Sequence, residues 1–358
     1  MKKIYQDSTF YLVIFIISYF IYVYPFEILN GFLLKEKFSR SSSLYLTLII
    51  GALIILYFRT KITFYPIKIF IYEGMGIGFI SFWIVNIALI ISFLFDIETQ
   101  IIGYTSFFII IVLTIYSLIN ARYINIKNIN LSSKKIKKNY KFIFISDIHL
   151  GSNSINHLKL ILKKISNLDY DFLLIGGDLI DSSSFNLEKL SILNEIDKPI
   201  YFVTGNHEYY ISNYKEKISS LNKFNLNILN NTNSIFEEIN IIGINDNIDN
   251  NKKNNFVNNF LDNSKLNLLL IHKPSLWNNV KDRIDLMFSG HTHNGQIFPF
   301  NFLVRMQFKT VYGLFKEKQS RLFVSSGSGT WGPRMRLGTQ NEILQVEISP
   351  NVKAQKLL

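Results

Sequence analysis

The sequence predicts two kinds of structure in one chain: an all-α membrane unit of four spans, then an α/β domain built in layers. Three observations predict this. Charge-free apolar stretches of bilayer-spanning length are confined to residues 1–121. Beyond them, short apolar runs alternate with segments of helical period. Where several of those runs end, His, Asp and Asn recur. The length of 358 residues allows about two globular units at roughly 150 residues each. At 48% hydrophobic and 18% charged residues, a disordered chain is excluded.

The four apolar stretches are residues 8–26, 41–58, 74–95 and 99–121, of 19, 18, 22 and 23 residues. A helix rising about 1.5 Å per residue needs roughly 20 residues to cross a hydrocarbon core of about 30 Å. Ile, Leu and Phe occupy all sides of each stretch, without the polar stripe of a helix on a soluble core. Lys2 and Lys3 give the first stretch a basic start, but no small-residue cleavage site follows, so it reads as an anchor. Gly74, Gly76 and Gly78 in the third stretch follow no strand, and close packing between helices accounts for them better than a dinucleotide loop.

Lys and Arg near the span ends predict the orientation. Lys2, Lys3, Arg59, Lys61 and Lys68 fall on one side, with Arg122, Lys127, Lys134, Lys135, Lys137, Lys138 and Lys141. Lys35, Lys37 and Arg40 fall on the other. This 12-to-3 bias places both termini and everything after residue 121 in the cytoplasm, in a multi-pass protein of the cell membrane. The net charge of +12 divides unevenly, 8 basic against 6 acidic residues up to Ala121 and 30 against 20 beyond. Residues 122–141 form a basic juxtamembrane linker and entry strand, suited to an anionic leaflet. The partner expected is therefore the lipid bilayer rather than nucleic acid.

Residues 141–358 carry apolar runs at 141–146, 172–176, 200–204, 239–244, 266–271, 284–289, 322–325 and 343–348. Helical-period stretches at 156–167, 186–196 and 213–223 lie between some of them, and the Asn-rich 245–267 reads as a loop and a short helix. No cysteine is present, so thiol chemistry and Cys-ligated metals are excluded.

Metal-capable groups stand at the strand ends. Run 141–146 is followed by Asp147 and His149, and run 172–176 by Gly177, Asp178 and Asp181. Run 200–204 is followed by Gly205, Asn206, His207 and Glu208, run 266–271 by His272, and run 284–289 by Gly290, His291 and His293. Sites in open α/β sheets form at the carboxyl ends of strands, so these groups should converge in one crevice. Residues two apart on extended backbone point the same way, which pairs Asp147 with His149 and His291 with His293. Oxygen donors mixed with imidazole suit Mn, Fe or Zn better than Ca or Mg. A carboxylate such as Asp178 can bridge two cations, which can bind a hydroxide nucleophile and clamp a phosphoryl group. The glycines let the chain turn sharply as each strand ends. Five of the six histidines sit in these turns, and His157, on a helix face, reads as a solvated surface residue.

Asp147-Ile-His149, Gly177-Asp178-Leu-Ile-Asp181, Gly205-Asn206-His207-Glu208, Ile271-His272 and Gly290-His291-Thr-His293 resemble the five motifs of the calcineurin-like metallophosphoesterases. The ending Val324-Ser-Ser-Gly-Ser-Gly-Thr-Trp-Gly-Pro-Arg-Met-Arg-Leu-Gly338, with the apolar N-terminal third, is similar to a subgroup of transmembrane proteins with a metallophosphoesterase domain. The resemblance covers about residues 121–358. It implies a four-layer α/β/β/α sandwich and a metal-dependent phosphoesterase with two divalent cations. Asp147, His149 and His293 would hold one cation, Asn206, His272 and His291 the other, and Asp178 would bridge them. His207 would act on the transition state or the leaving oxygen with Asp181 orienting it, and Glu208 would support the site from outside the ligand set.

Two departures narrow this. Ser182 follows Asp181, where protein phosphatases of the superfamily place a phosphate-gripping Arg, so protein phosphatase activity is not expected. Asn294 stands where the subgroup commonly has glycine. Arg334 and Arg336 are candidate replacement phosphate contacts. The expected function is a membrane-anchored dinuclear-metal phosphohydrolase cleaving a phosphate mono- or diester, its substrate membrane-proximal, such as a phospholipid or lipid-linked headgroup. The alternative is a non-catalytic membrane scaffold or sensor on the same fold. That alternative predicts missing ligands, and none of the seven is missing.

Overall fold

The computed structural model describes residues 2–36, 38–60 and 64–350, apart from the side chains of residues 2–8. Lys37 and Lys61, used in the orientation count, lie outside the described residues, as do the side chains of Lys2 and Lys3. The chain divides into two compact units. One is Met1–Asn120 with Gly332–Leu337, and the other is Ala121–Trp331 with Gly338–Leu358.

In the first unit, helices α1 (Lys2–Ile17) and α2 (Tyr24–Leu34) are joined by a π-helical segment, Ser18–Val23. Helices α3 (Arg40–Arg59), α4 (Tyr65–Leu94) and α5 (Thr99–Asn120) follow. Ser39 starts α3 by accepting a 3.1 Å bond from the Ser42 N–H, and Pro66 sits in the first turn of α4, where no N–H is needed. Among the described residues, four helical stretches are long and apolar enough to cross a membrane: Thr9–Leu34, Arg40–Arg59, Tyr65–Leu94 and Thr99–Asn120. Three run beyond the charge-free windows and take in charges, the second only its terminal Arg40 and Arg59. The first reaches Glu27, whose Oε2 accepts from Ser43, and the third includes Lys68 and Glu73.

The glycines of α4 serve close approach, one of them not between helices. A methyl on Gly78 would lie 1.9 Å from the backbone oxygen of Ile21, so this crossing admits no side chain. Gly74 faces Tyr22, whereas Gly76 faces Met335 and Pro333 of the 332–337 segment. That segment is held within the helical unit by Arg334, which donates to Glu73 from its backbone N–H (3.0 Å) and its Nε (2.7 Å). The Arg336 N–H donates to Ser117 O at 3.0 Å, and its carbonyl accepts from Asn120.

In the second unit, the described residues contain twelve strands in two six-stranded mixed sheets. In chain order they are β1 (Ile124–Ser133), β2 (Tyr140–Ile145), β3 (Phe172–Ile175), β4 (Ile200–Phe202), β5 (Asn227–Ile228), β6 (Thr232–Phe236), β7 (Ile239–Ile244), β8 (Leu266–Ile271), β9 (Leu286–Ser289), β10 (Gly313–Glu317), β11 (Ser320–Val324) and β12 (Asn341–Pro350). One sheet has the order β1-β12-β2-β3-β4-β5 and the other β10-β11-β9-β8-β7-β6. Helices α6 (Ile155–Ile165), α7 (His207–Tyr210), α8 (Tyr214–Ser220), α9 (Asn250–Phe260), α10 (Trp277–Val280) and α11 (Phe300–Gln307) connect them.

Three apolar clusters separate four layers. The middle one lies between the sheets and includes Phe142, Phe144 and Phe172 of the first with Leu268, Leu270 and Phe288 of the second. The outer faces are covered separately. Leu158, Ile161 and Ile165 of α6 pack on the first sheet through residues spaced three, four and seven apart, and Val257, Trp277 and Val280 pack on the second. The strands alternate their side chains between these clusters: Phe142 and Phe144 point inward, Ile143 and Ile145 outward.

Two sequence expectations are corrected. Residues 122–141 are not mainly a linker, because β1 pairs in parallel with β12 over ten residues, from Ile124 against Asn341 to Ser133 against Pro350. The stretch 186–196 is a 3-10 segment, Leu187–Glu195, rather than an α-helix. The Asn-rich 245–267 does contain a helix, α9, started by Asp249 accepting from the Lys252 N–H at 2.9 Å.

Candidate metal centre

β2, β3 and β4 are parallel neighbours in the first sheet, and β8 and β9 in the second, so the loops after them leave each sheet at its carboxyl edge. Backbone bonds join the loops across strands. The Asp147 N–H donates to Gly177 O (3.0 Å), the His149 N–H to Asp178 O (2.9 Å) and the Gly290 N–H to His272 O (2.9 Å). The two sheets meet at Asp147, whose carboxylate oxygens accept the His291 N–H at 3.0 and 3.1 Å. Asp147 (φ 55°), His149 (53°), Asp178 (52°), His291 (72°) and His293 (47°) all adopt left-handed backbone. Non-glycine residues rarely do so, and the strain concentrates where the side chains converge.

Two groups form. In the first, His149 Nε2 and His293 Nε2 are 3.1 Å apart, and Asp147 Oδ1 is 3.4 Å from His293 Nε2. In the second, Asp178 Oδ2 is 3.1 Å from His272 Nε2, which is 3.3 Å from His291 Nδ1. The same Asp178 oxygen is 3.8 Å from His149 Nε2 in the first group. His272 is fixed by its other nitrogen, Nδ1, at 2.9 Å from Gly176 O, so Nε2 faces inward.

These residues fit divalent cations. Two pairs of imidazole nitrogens face each other at 3.1 and 3.3 Å, close enough to share a proton or to turn their lone pairs toward a cation. Asn206 Oδ1 is buried and accepts no hydrogen bond, which is costly for a carbonyl oxygen unless a cation takes its place as partner. The electrostatics agree. Burial opposes charge on His272, yet the Asp178 carboxylate outweighs it and lifts this imidazole to about 10. Burial, then the His272 charge, push His291 down to about 3. Two adjoining rings thus compete for a single positive charge. Burial raises the Asp147 carboxyl above the usual range.

Around the two groups, His207 donates its backbone N–H to Asp178 Oδ1 at 2.9 Å and stands 4.8 Å, ring to ring, from His149. Burial lowers its imidazole to about 4 against the pull of Asp178, leaving a neutral ring with an N–H to offer. Trp331 lies 5.6 Å from the His207 ring and is fixed by Gln296. The Gln296 amide donates to Trp331 O (3.0 Å), and Oε1 accepts the Trp331 N–H (2.9 Å). Sequence reasoning passed over Gln296; the signal available was its place three residues after His293.

The structure also places the other residues singled out in the sequence. Asp181 accepts from Ser152 N–H and Oγ (2.8 and 2.5 Å); its Oδ2 is 3.4 Å from His149 Nδ1, which makes no hydrogen bond, and it stands in one group with His149 and His207. Arg334 pairs with Glu73 at 2.7 Å and Arg336 is fully buried, both within the helical unit. His157 is not solvated, since Nε2 lies 2.7 Å from Ser328 O. Of the three strand-end glycines, Gly177 has positive φ; Gly205 and Gly290 instead permit close approach, a methyl on either lying 2.1 Å from an Asp178 or Asp147 carboxylate oxygen.

Glu208 receives a definite place. Fully buried, it accepts the backbone N–H groups of Asp178 (3.0 Å), Ile180 (2.9 Å) and Gly205 (2.7 Å), tying the loop after β3 to the loop after β4. Burial, then the Asp178 charge, raise its carboxyl to about 7, with the Ile180 and Gly205 N–H groups pulling back. Glu208→Ala leaves three N–H groups unsatisfied and should cost at least about 3 kcal/mol of stability. Thermal unfolding of Glu208→Ala and Glu208→Gln checks this; an unchanged midpoint for Ala would contradict it.

Comparison with known proteins agrees with this geometry. A family model described as calcineurin-like phosphoesterase matches residues 140–295. An uncharacterized metallophosphoesterase of Campylobacter jejuni is 35% identical over 266 residues, covering 70% of each chain. The chain belongs to the calcineurin-like metallophosphoesterases. Within this family, a transmembrane protein with metallophosphoesterase domain from Danio rerio is 27% identical, over 66% of this chain and 60% of that protein. Against a metallophosphoesterase of Helicobacter pylori, 33% identical, the match spans 65% of the relative's length. Among solved structures, a phosphatase from Mycoplasma pneumoniae superposes with a TM-score of 0.36 at 13% identity, over 54% of this chain and 73% of that one. As expected of a metallophosphoesterase, all five motif segments, from Asp147 to His293, lie in or beside the two candidate metal groups.

Proposed function

We propose that this metallophosphoesterase is a membrane-anchored hydrolase of phosphate mono- or diesters, holding two divalent cations and acting on a membrane-proximal substrate. The observation that carries the reading is Asp178 Oδ2, which lies within 4 Å of imidazole nitrogens from both candidate metal groups. Asp147, His149 and His293 would hold one cation and Asn206, His272 and His291 the other, with Asp178 shared. When bound, such a pair supplies an oxygen nucleophile at neutral pH and positive charge for the phosphoryl oxygens.

The chain's own groups do the rest. The Gly176 carbonyl holds the His272 ring through Nδ1, and the Asp181 carboxylate lies 3.4 Å from His149 Nδ1. Asp147 anchors the His291 backbone, keeping the ligands of the second sheet against those of the first. His207 stands 3.9 Å from Asp178 Oδ2, at the edge of the ligand set, where its ring N–H can be given to a phosphoryl oxygen or the leaving oxygen. The apolar helices and the Lys and Arg bias support an anchor in the cell membrane with the phosphoesterase unit in the cytoplasm.

The test is hydrolysis of p-nitrophenyl phosphate and bis-p-nitrophenyl phosphate by the full chain with added Mn. Chelation should abolish turnover, and Mn, Fe or Zn should restore it. His207→Gln should lower kcat by about 10²–10⁴-fold with metal content unchanged. A chain that binds metal without hydrolysing either ester would favour the scaffold reading, and a chain that binds no metal would defeat both the cation assignment and the hydrolase.

A further inference from the structure

Helix α11 presents apolar side chains to solvent in a domain whose other apolar residues are largely enclosed. None of its eight residues is buried. Met306 is 84% exposed, Phe302 55% and Leu303 54%. Phe298, just before the helix and half exposed, packs edge-on against Phe302 at 5.7 Å, so Phe298, Phe302 and Met306 form one ridge at spacing of four. A ridge of this kind on a soluble surface marks a binding face.

The charge around the ridge indicates its partner. No acidic residue occurs from Leu286 to Lys316, whereas Arg305 and Lys309 flank the ridge and are exposed. Apolar residues with basic neighbours on a short helix suit the interface of an anionic bilayer, where such side chains sit about 5–10 Å deep. A bilayer is also the surface to which the chain is tethered if the helical unit is an anchor.

The ridge is fastened to the metal-bearing loop. Asn301 backbone packs so closely on Gly295 that a methyl there would lie 2.4 Å from its Cα. Phe308, after the helix, contacts the His291 ring at 5.3 Å, and Thr292 Oγ1 donates to Val311 O at 2.6 Å. We infer that α11 is a membrane-docking element that lies in the headgroup region of an anionic leaflet and holds the crevice at the depth of lipid headgroup phosphoesters. This rests on the reading of the helical unit as a membrane anchor.

The absence of cysteine makes the test direct, because any introduced cysteine is the sole thiol. Met306→Cys in the full chain, labelled with an environment-sensitive fluorophore, is placed in nanodiscs of phosphatidylcholine and phosphatidylglycerol carrying quenchers at shallow or deep acyl positions. Ile109→Cys in α5 and Asn251→Cys in the polar helix α9 serve as references. Docking predicts that the Met306 label loses emission to shallow quenchers far more than to deep ones, while Asn251 is unaffected and Ile109 responds to the deep quencher. In an Arg305→Glu/Lys309→Glu background the Met306 loss should shrink. Quenching at Ile109 with none at Met306 overturns docking and leaves the anchor standing. No quenching at either site overturns both. Pyrene excimer emission from Met306→Cys without lipid quenching would show that a second copy covers the ridge, which also overturns docking.

Discussion

Asp178→Asn in the full-length chain is expected to reduce phosphoester hydrolysis by about 10³-fold or more, roughly 4 kcal/mol of transition-state stabilisation at 1.36 kcal/mol per decade. The substitution keeps volume and leaves one oxygen able to accept the His207 N–H, a 2.9 Å bond in the native chain. What it removes is the second oxygen and the negative charge. That oxygen stands 3.1 Å from His272 Nε2 and 3.8 Å from His149 Nε2, and an amide NH₂ there meets donors and cations instead of attracting them. Loss should therefore appear in metal content, measured by mass spectrometry, as well as in kcat, with the far-ultraviolet circular dichroism unchanged. Full occupancy by two metals and a near-native rate would show that Asp178 is no bridge. The assay needs the full chain, because residues 332–337 pack in the helical unit, with Arg334 on Glu73 and Met335 over Gly76.

Gly290→Ala, the addition of one methyl, is the second large effect. The new carbon would lie 2.1 Å from both Asp147 Oδ2 and Ser146 Oγ, which are themselves bonded at 2.6 Å. Backbone strain is not the cause, since Gly290 is absent from the positive-φ glycines. Relief requires the Asp147 carboxylate to move, and with it the His291 backbone that it anchors. A displacement of about 1 Å at a reacting centre costs about 10²-fold, and a comparable fall in kcat is expected. Metal content should drop from the group holding Asp147, His149 and His293, leaving the other partly filled. A variant with native kcat would show that the loop yields without disturbing the ligand.

Much of the site was legible because its signals are local. A strand run, then an acid, amide or imidazole, can be read in a few residues, and repetition along the chain made coincidence untenable. The eight apolar runs all became strands, but β1, β5, β6 and β10 went unread. β1 looked like a basic collar because Lys127 and its neighbours dominate the charge count. What makes it a strand is pairing with β12, more than 200 residues away. The pairing of Arg334 with Glu73, 261 residues away, was illegible for the same reason, since an arginine looks the same in sequence whatever it faces.

By itself the sequence determined the apolar spans, the layered α/β pattern and the identity of the candidate ligands, because composition and strand-end position are properties of short segments. Tertiary structure alone decided that Asp178 lies between two groups, that Asp181 stands beside both His149 and His207, that Glu208 joins two loops, that Glu73 takes Arg334, and that the ridge of α11 stays exposed. Each of these depends on which distant segments come within a few ångströms of one another, and that is settled only when the sheets close on their shared core.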